Sequence, residues 1–183
     1  KIIAIDPVIP EPNSFQEQNS ALFEDVSNHP IAKRRSEFAS AEEMMERLKD
    51  KGSYGIFDPE IFEDYCRYGL IKNEAGTGYH LACPPDIEAS VYSSSRTNAK
   101  IYDSLKKIKF PVIIIRAKER EPGKQVMDFS TSPTWRELAN QFKNGKEIYF
   151  PDNTHFLPME IPEKIIEILN SEIAEVVTQS SLN

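Results

Sequence analysis

His155 is the residue of this 183-residue sequence best placed to do chemistry. It lies in the run Phe150-Pro151-Asp152-Asn153-Thr154-His155-Phe156-Leu157-Pro158-Met159-Glu160. Imidazole changes charge near neutral pH, so it can take a proton from a nucleophile and later return it to a leaving group. The elements around it can hold it still. Lys146 to Phe150 reads as a short strand, while Ile161, Ile165, Ile168, Leu169 and Ile173 recur at helical spacing, with Pro162 suited to the first turn. A histidine in a tight loop between a strand and an amphipathic helix is fixed from both sides while its ring faces a cleft. A lone loop histidine more often satisfies a backbone carbonyl; here the whole run points further. His29 and His80 lie in the middle of the chain and read as structural or exposed.

Composition narrows the function classes. The chain is 39% hydrophobic and 28% charged, enough for one medium-sized globular domain with a core. Its net charge of −7, without a basic stripe, argues against nucleic acid or an anionic membrane surface as partner. Cys66 and Cys83 fall in different predicted elements without metal-ligand spacing, so free thiols, a reducing compartment and no metal or other cofactor are expected. No apolar run approaches the roughly 20 residues of a membrane span, and no signal peptide is visible. Ser181-Leu182-Asn183 lacks the basic residue of a peroxisomal ending. These features predict a cytoplasmic protein.

Two further segments predict a parallel sheet. Ile2, Ile3, Ala4 and Ile5 form a continuous apolar run, and Val112 to Ile115 forms another; both have the pattern of strands covered on two faces. Ser132-Pro133 reads as the start of a helix with Trp135, Leu138, Ala139 and Phe142 inward and Gly145 closing it. The alternation strand, helix, strand, histidine loop, helix implies right-handed parallel crossovers. Between the two runs, His29 to Phe38 opens a helical region. Ser40 with Glu43 makes a capping box for the next helix, and Asp58-Pro59 starts another over Glu60 to Tyr68. Leu70 to Cys83 reads as a hairpin, Ile87 to Ser94 as a helix, and Ala99 to Lys107 as a short amphipathic helix.

Strand, short loop, His155-Phe156 and then a Pro158-Met159-Glu160 helix resemble the C-terminal end of an α/β-hydrolase. Phe110 to Arg116 resembles the penultimate strand of that family, and Lys1 to Ile9 the strand that follows its nucleophile helix. The resemblance implies an α/β fold, mostly parallel, with core residues 1–9 and 110–183 and a helical cap over 10–109. It implies that His155 is the general base of a catalytic triad. The family carries the triad acid either in the turn after the penultimate strand or at the end of the sixth strand. In the first place Arg120 stands where an Asp is usual, with Glu119 and Glu121 beside it; in the second stands Asp6. Asp6 is preferred, Glu119 second and Glu121 third, although an Asp before Pro7 is also an ordinary turn residue.

No Gly-x-Ser-x-Gly occurs in the chain, so the nucleophile is expected in an N-terminal half outside it, on the same protein or a separate chain. The implied activity is serine esterase or lipase-like hydrolysis of an apolar ester. Phe156 beside the histidine, with Phe62 and Tyr65 from the cap, are candidates to touch substrate. Aromatic stripes at helical spacing also serve as a cap's own core. An epoxide hydrolase or haloalkane dehalogenase with an Asp nucleophile, and a non-catalytic ligand-binding relative, remain alternatives. Apolar cap positions could equally face a second subunit in a homodimer.

Overall fold

The structure, a computed structural model, describes residues 1–12, 25–94, 100–121 and 129–180, the last six of these by their backbone alone. The expectations for 13–24, for 95–99 at the start of the predicted Ala99 to Lys107 helix, for 122–123 and for the C-terminal 181–183 lie outside these residues. In chain order the elements are β1 (Ile2–Ile5), β2 (Glu37–Phe38), α1 (Ala41–Leu48), α2 (Pro59–Tyr68), β3 (Leu70–Lys72), β4 (Tyr79–Leu81) and α3 (Pro85–Ser94). There follow α4 (Tyr102–Leu105), β5 (Val112–Arg116), β6 (Gly145–Tyr149), α5 (Leu157–Glu160) and α6 (Pro162–Ser180). The chain divides into two compact units, Lys1–Glu11 with Ile101–Asn183, and Pro12–Lys100.

The first unit is built on a parallel sheet of order β1-β5-β6. The apolar run Val112 to Ile115 makes β5 the central strand, because its alternate side chains must be covered on both faces. Val112 and Ile114 pack on one face with Leu105, Leu138 and Ala139. Ile113 and Ile115 pack on the other with Leu157 and Ile165. The similar run in β1 is less covered than its composition predicts. Ile2 is 43% exposed, since among the described residues β1 pairs with a strand on one side only.

Three other expectations change. Ser132 to Gly145 forms turns and a single 3₁₀ turn, Ala139–Gln141, in place of an α-helix. Leu138 and Ala139 still point inward, but the hydroxyls and amides near Ser132 bond elsewhere instead of starting a helix. Gly145 opens β6; a Cβ there would lie 1.9 Å from the Ala139 carbonyl oxygen, so this close approach of two backbones requires glycine. On α6, Ile165, Ile168 and Leu169 face the sheet, whereas Ile173 is 56% exposed and Glu172 takes the inward position. Its carboxylate meets Lys1 Nζ at 2.7 Å and Lys146 Nζ at 3.1 Å, at the N-terminal ends of β1 and β6.

In the second unit an antiparallel sheet of order β2-β4-β3 includes the expected hairpin. Ser40 and Asp58 accept from backbone N–H groups as helix N-caps. His29 to Phe38 is not an α-helix. The His29 ring accepts from Ile31 N and stacks on Tyr92, a 3₁₀ turn follows at Pro30–Lys33, and Phe38 turns into β2. There it packs with Met44, Cys66, Leu70 and Leu81, and burial pushes the Cys66 thiol up to about 11. Both cysteines are unpaired.

Candidate active site

Asp6 follows the last residue of β1, at the C-terminal end of the parallel sheet, and its amide still donates to the Ile115 carbonyl at 2.7 Å. The backbone then turns sharply, with φ of +41° at Asp6, a left-handed conformation that aspartate tolerates better than most residues. Such a conformation costs on the order of 1 kcal/mol and persists where surrounding contacts over-determine it. Those contacts are plain here. Asp6 is 1% exposed, and its Oδ1 accepts from Ala117 N at 2.9 Å and Ser132 Oγ at 2.5 Å, with Thr134 Oγ1 at 3.2 Å. Its Oδ2 lies 2.8 Å from His155 Nδ1. No lysine or arginine pairs with it among the described residues.

His155 reaches this carboxylate from the loop after β6. The loop is pinned along its length: Phe150 N donates to Arg116 O, Lys118 N to Asn153 O, and His155 N to Phe129 O. Glu160, in the short α5, folds back on the loop and accepts from Asn153 Nδ2 at 3.0 Å, from Thr154 N at 2.9 Å and from the Thr154 hydroxyl. The imidazole stacks on Phe129, with centroids 4.8 Å apart, and meets Phe156 edge-on at 5.6 Å.

An ionised carboxylate only accepts hydrogen bonds, so the contact with Asp6 puts the ring proton on Nδ1. Nε2 is then the basic nitrogen, and it has no hydrogen-bond partner among the described residues. The side chain is 21% exposed. A buried carboxylate, an oriented neutral imidazole and a free basic nitrogen can together take a proton from a nucleophile and stabilise the imidazolium that results.

Of the other predicted site residues, Glu119 pairs with Arg136 at 3.4 Å, both side chains being well exposed, and Glu121 is also exposed. Neither contacts His155. Arg120 lines a cavity of about 110 Å³ with Arg116, Glu119, Ser132, Thr134 and Trp135. Arg116 is itself buried, bonded through Nε to Glu147 at 2.6 Å and stacked over Tyr149. Phe62 and Tyr65 belong to the second unit, where both pack against its core and the Tyr65 hydroxyl meets that of Tyr54 at 3.2 Å.

Sequence reasoning passed over Ala117, Ser132 and Thr134 around Asp6, and the Glu160 clamp on the histidine loop. Ser132 and Thr134 carry the type of signal, short hydroxyls at a turn, that a helix start also carries, so spacing alone misreads them.

No family model and no curated protein matches the chain by sequence. Solved structures do match by fold. The peroxisomal alpha-beta-hydrolase Lpx1 from Saccharomyces cerevisiae aligns over 96% of this chain and 46% of its own length, with a TM-score of 0.64 at 18% identity. An E-2-(acetamidomethylene)succinate hydrolase aligns over 94% of this chain and 56% of its own, with a TM-score of 0.58 at 13% identity. The chain therefore has an α/β-hydrolase fold and spans about half the length of the structures it matches.

Proposed function

We propose that these residues supply the acid–base half of a hydrolase site, with His155 as general base, Asp6 as the acid that orients it, and the nucleophile on a part of the polypeptide outside this sequence. The observation that carries the reading is the 2.8 Å contact between His155 Nδ1 and the buried Asp6 carboxylate, with Nε2 left basic. In the favoured form the nucleophile is a serine and the substrate an apolar ester. Nε2 takes the serine proton as the oxygen attacks the carbonyl, and Asp6 stabilises the imidazolium. The same proton then passes to the departing alkoxide, leaving an acyl-enzyme that water hydrolyses by the reverse sequence. Oxyanion donors would also come from outside these residues.

Phe156, edge-on to the imidazole, is proposed to touch the substrate. The second unit is proposed to act as a cap, with Phe62 and Tyr65 contributing to its apolar wall. A cytoplasmic location in a reducing milieu is part of the proposal, supported by two unpaired cysteines. No helix among the described residues is long and apolar enough to cross a membrane.

The test uses the full-length protein with p-nitrophenyl butyrate and a fluorophosphonate probe. His155→Ala is expected to lower kcat by a factor on the order of 10⁴ or more; retained turnover overturns the assignment. Labelling by the probe supports the serine. Loss of activity on His155→Ala without any labelling of the parent protein replaces it by an aspartate nucleophile of the epoxide-hydrolase or dehalogenase kind. No activity and no labelling in the parent protein means a ligand-binding relative.

A further inference from the structure

We propose that Ser132 is a positioning residue for the acid–base pair, and that Thr134 sets the backbone on which Asp6 is presented; this rests on the reading of His155 and Asp6 above. The hydrogen bonds separate the two roles. A hydroxyl has one proton to give. Ser132 Oγ accepts from Thr134 N at 3.1 Å and, among the described residues, has a single acceptor for its own proton, Asp6 Oδ1, at 2.5 Å. Thr134 Oγ1 stands 3.2 Å from that same oxygen but 2.6 Å from the Pro7 carbonyl, so its proton goes chiefly to Pro7. Ser132 is the committed donor to the acid, while Thr134 ties down the residue after Asp6 and so holds the left-handed turn.

Donors on Oδ1 do two things for the pair. They stop rotation of the carboxylate, so Oδ2 alone faces Nδ1. They also stabilise the ionised form with neutral dipoles, which leaves its charge available to the imidazolium. A bond between a short hydroxyl and a carboxylate is of the strong, charge-assisted kind, and Ser132 is itself only 4% exposed, so water cannot easily take its place. The backbone agrees with this assignment. Ser132 N donates to Lys118 O and Trp135 N to Ile9 O, so the segment is anchored to the stretches that follow β5 and β1, which carry Ala117 and Asp6.

The test compares Ser132→Ala, Ser132→Thr, Ser132→Cys and Thr134→Val in the full-length protein. Ser132→Ala is expected to lower kcat for p-nitrophenyl butyrate about tenfold, the kinetic equivalent of one hydrogen bond to a charged group, with KM within about twofold. Ser132→Thr is expected to restore most of the loss, and Ser132→Cys, of similar shape with a weak donor, to fall between. The second readout needs no turnover. The His155 Nδ1–H proton resonance is expected to move downfield in Ser132→Ala, because Oδ2 becomes the stronger acceptor once Oδ1 loses its donor, and to return in Ser132→Thr. Thr134→Val is expected to lower the melting temperature and to move the resonance less.

Unchanged kcat and resonance in Ser132→Ala overturn the proposal, as does a loss that Ser132→Thr fails to recover. If Ser132→Ala does not fold, Ser132→Cys decides by the same two readouts. A resonance shift in a protein whose His155→Ala variant keeps full turnover separates the cases: the hydrogen-bond role stands, and the catalytic reading on which it rests falls.

Discussion

Among the described residues of the first unit two carboxylates are buried, one at each end of the parallel sheet, and they are satisfied in opposite ways. Glu172, 5% exposed, meets two ammonium groups, Lys1 and Lys146. Asp6, 1% exposed, meets an amide, two hydroxyls and an imidazole. In the first case charge is cancelled by charge. The bonds from Lys1, and then Lys146, hold the Glu172 carboxyl below the usual carboxylate range against the opposing effect of burial. In the second case the charge is stabilised without being cancelled, which leaves it free to act on a ring that gains a proton. The difference separates a carboxylate that joins a helix to a sheet from one that can take part in acid–base chemistry, and burial alone does not make the distinction.

The comparison can be broken at its functional end first. Asp6→Asn keeps size and burial but donates where Asp6 accepts, so it favours the wrong imidazole tautomer; kcat is expected to fall by about 10⁴ with little change in KM, measured as ester hydrolysis by the full-length protein. Glu172→Gln sharpens the other end. It is expected to leave kcat within about twofold and to lower unfolding free energy by roughly 2 kcal/mol in denaturant titration. Its pH signature has a definite sign. A carboxylate whose folded value is depressed contributes fully above its unfolded value near 4.5 and loses that contribution as pH falls through the lower folded value. Acid unfolding of the parent protein should therefore be steeper below about pH 4.5 than that of Glu172→Gln. Equal slopes would remove Glu172 from the account. The smallest effect belongs to Glu119→Gln. Its exposed pair with Arg136 is worth roughly 0–1 kcal/mol, so activity and stability should both stay near the parent values. A large loss of kcat there would favour Glu119 over Asp6 as the proposed acid.

How much of this was legible in the sequence follows from distance along the chain. The central strand could be read locally, since Val112 to Ile115 carry their own pattern, and so could the histidine loop, whose strand Gly145–Tyr149 and proline-started helix Pro162–Ser180 flank it closely in sequence. The ends of two strands cannot be compared locally. Asp6 and His155 are 149 positions apart, and an aspartate before proline looks like any turn. The sequence therefore left Asp6, Glu119 and Glu121 as competing acids. Ser132 shows the same limit in another form, because whether a hydroxyl caps its own helix or bonds a distant carboxylate is decided by tertiary neighbours. Glu172 breaks a helical apolar stripe for the same reason: its two lysines arrive from β1 and β6, and no helical period announces them.

The register of β1 against β5 also governs how the chain reaches this state. Ile2 pairs with Val112, so β1 must close a very long loop before its first rung forms, whereas Val112 meets Gly145 of β6 at much shorter range along the chain. The second unit's sheet pairs neighbours, Leu70 with Leu81 and Lys72 with Tyr79, and has no such delay. Loop closure grows more costly only logarithmically, by about 0.6 kcal/mol per doubling of length, but it slows the search for parallel partners. Residues 37–81 should thus gain amide-exchange protection early in refolding, and β1 late. The contact between Asp6 and His155, which needs β1 home, would be among the last features to assemble.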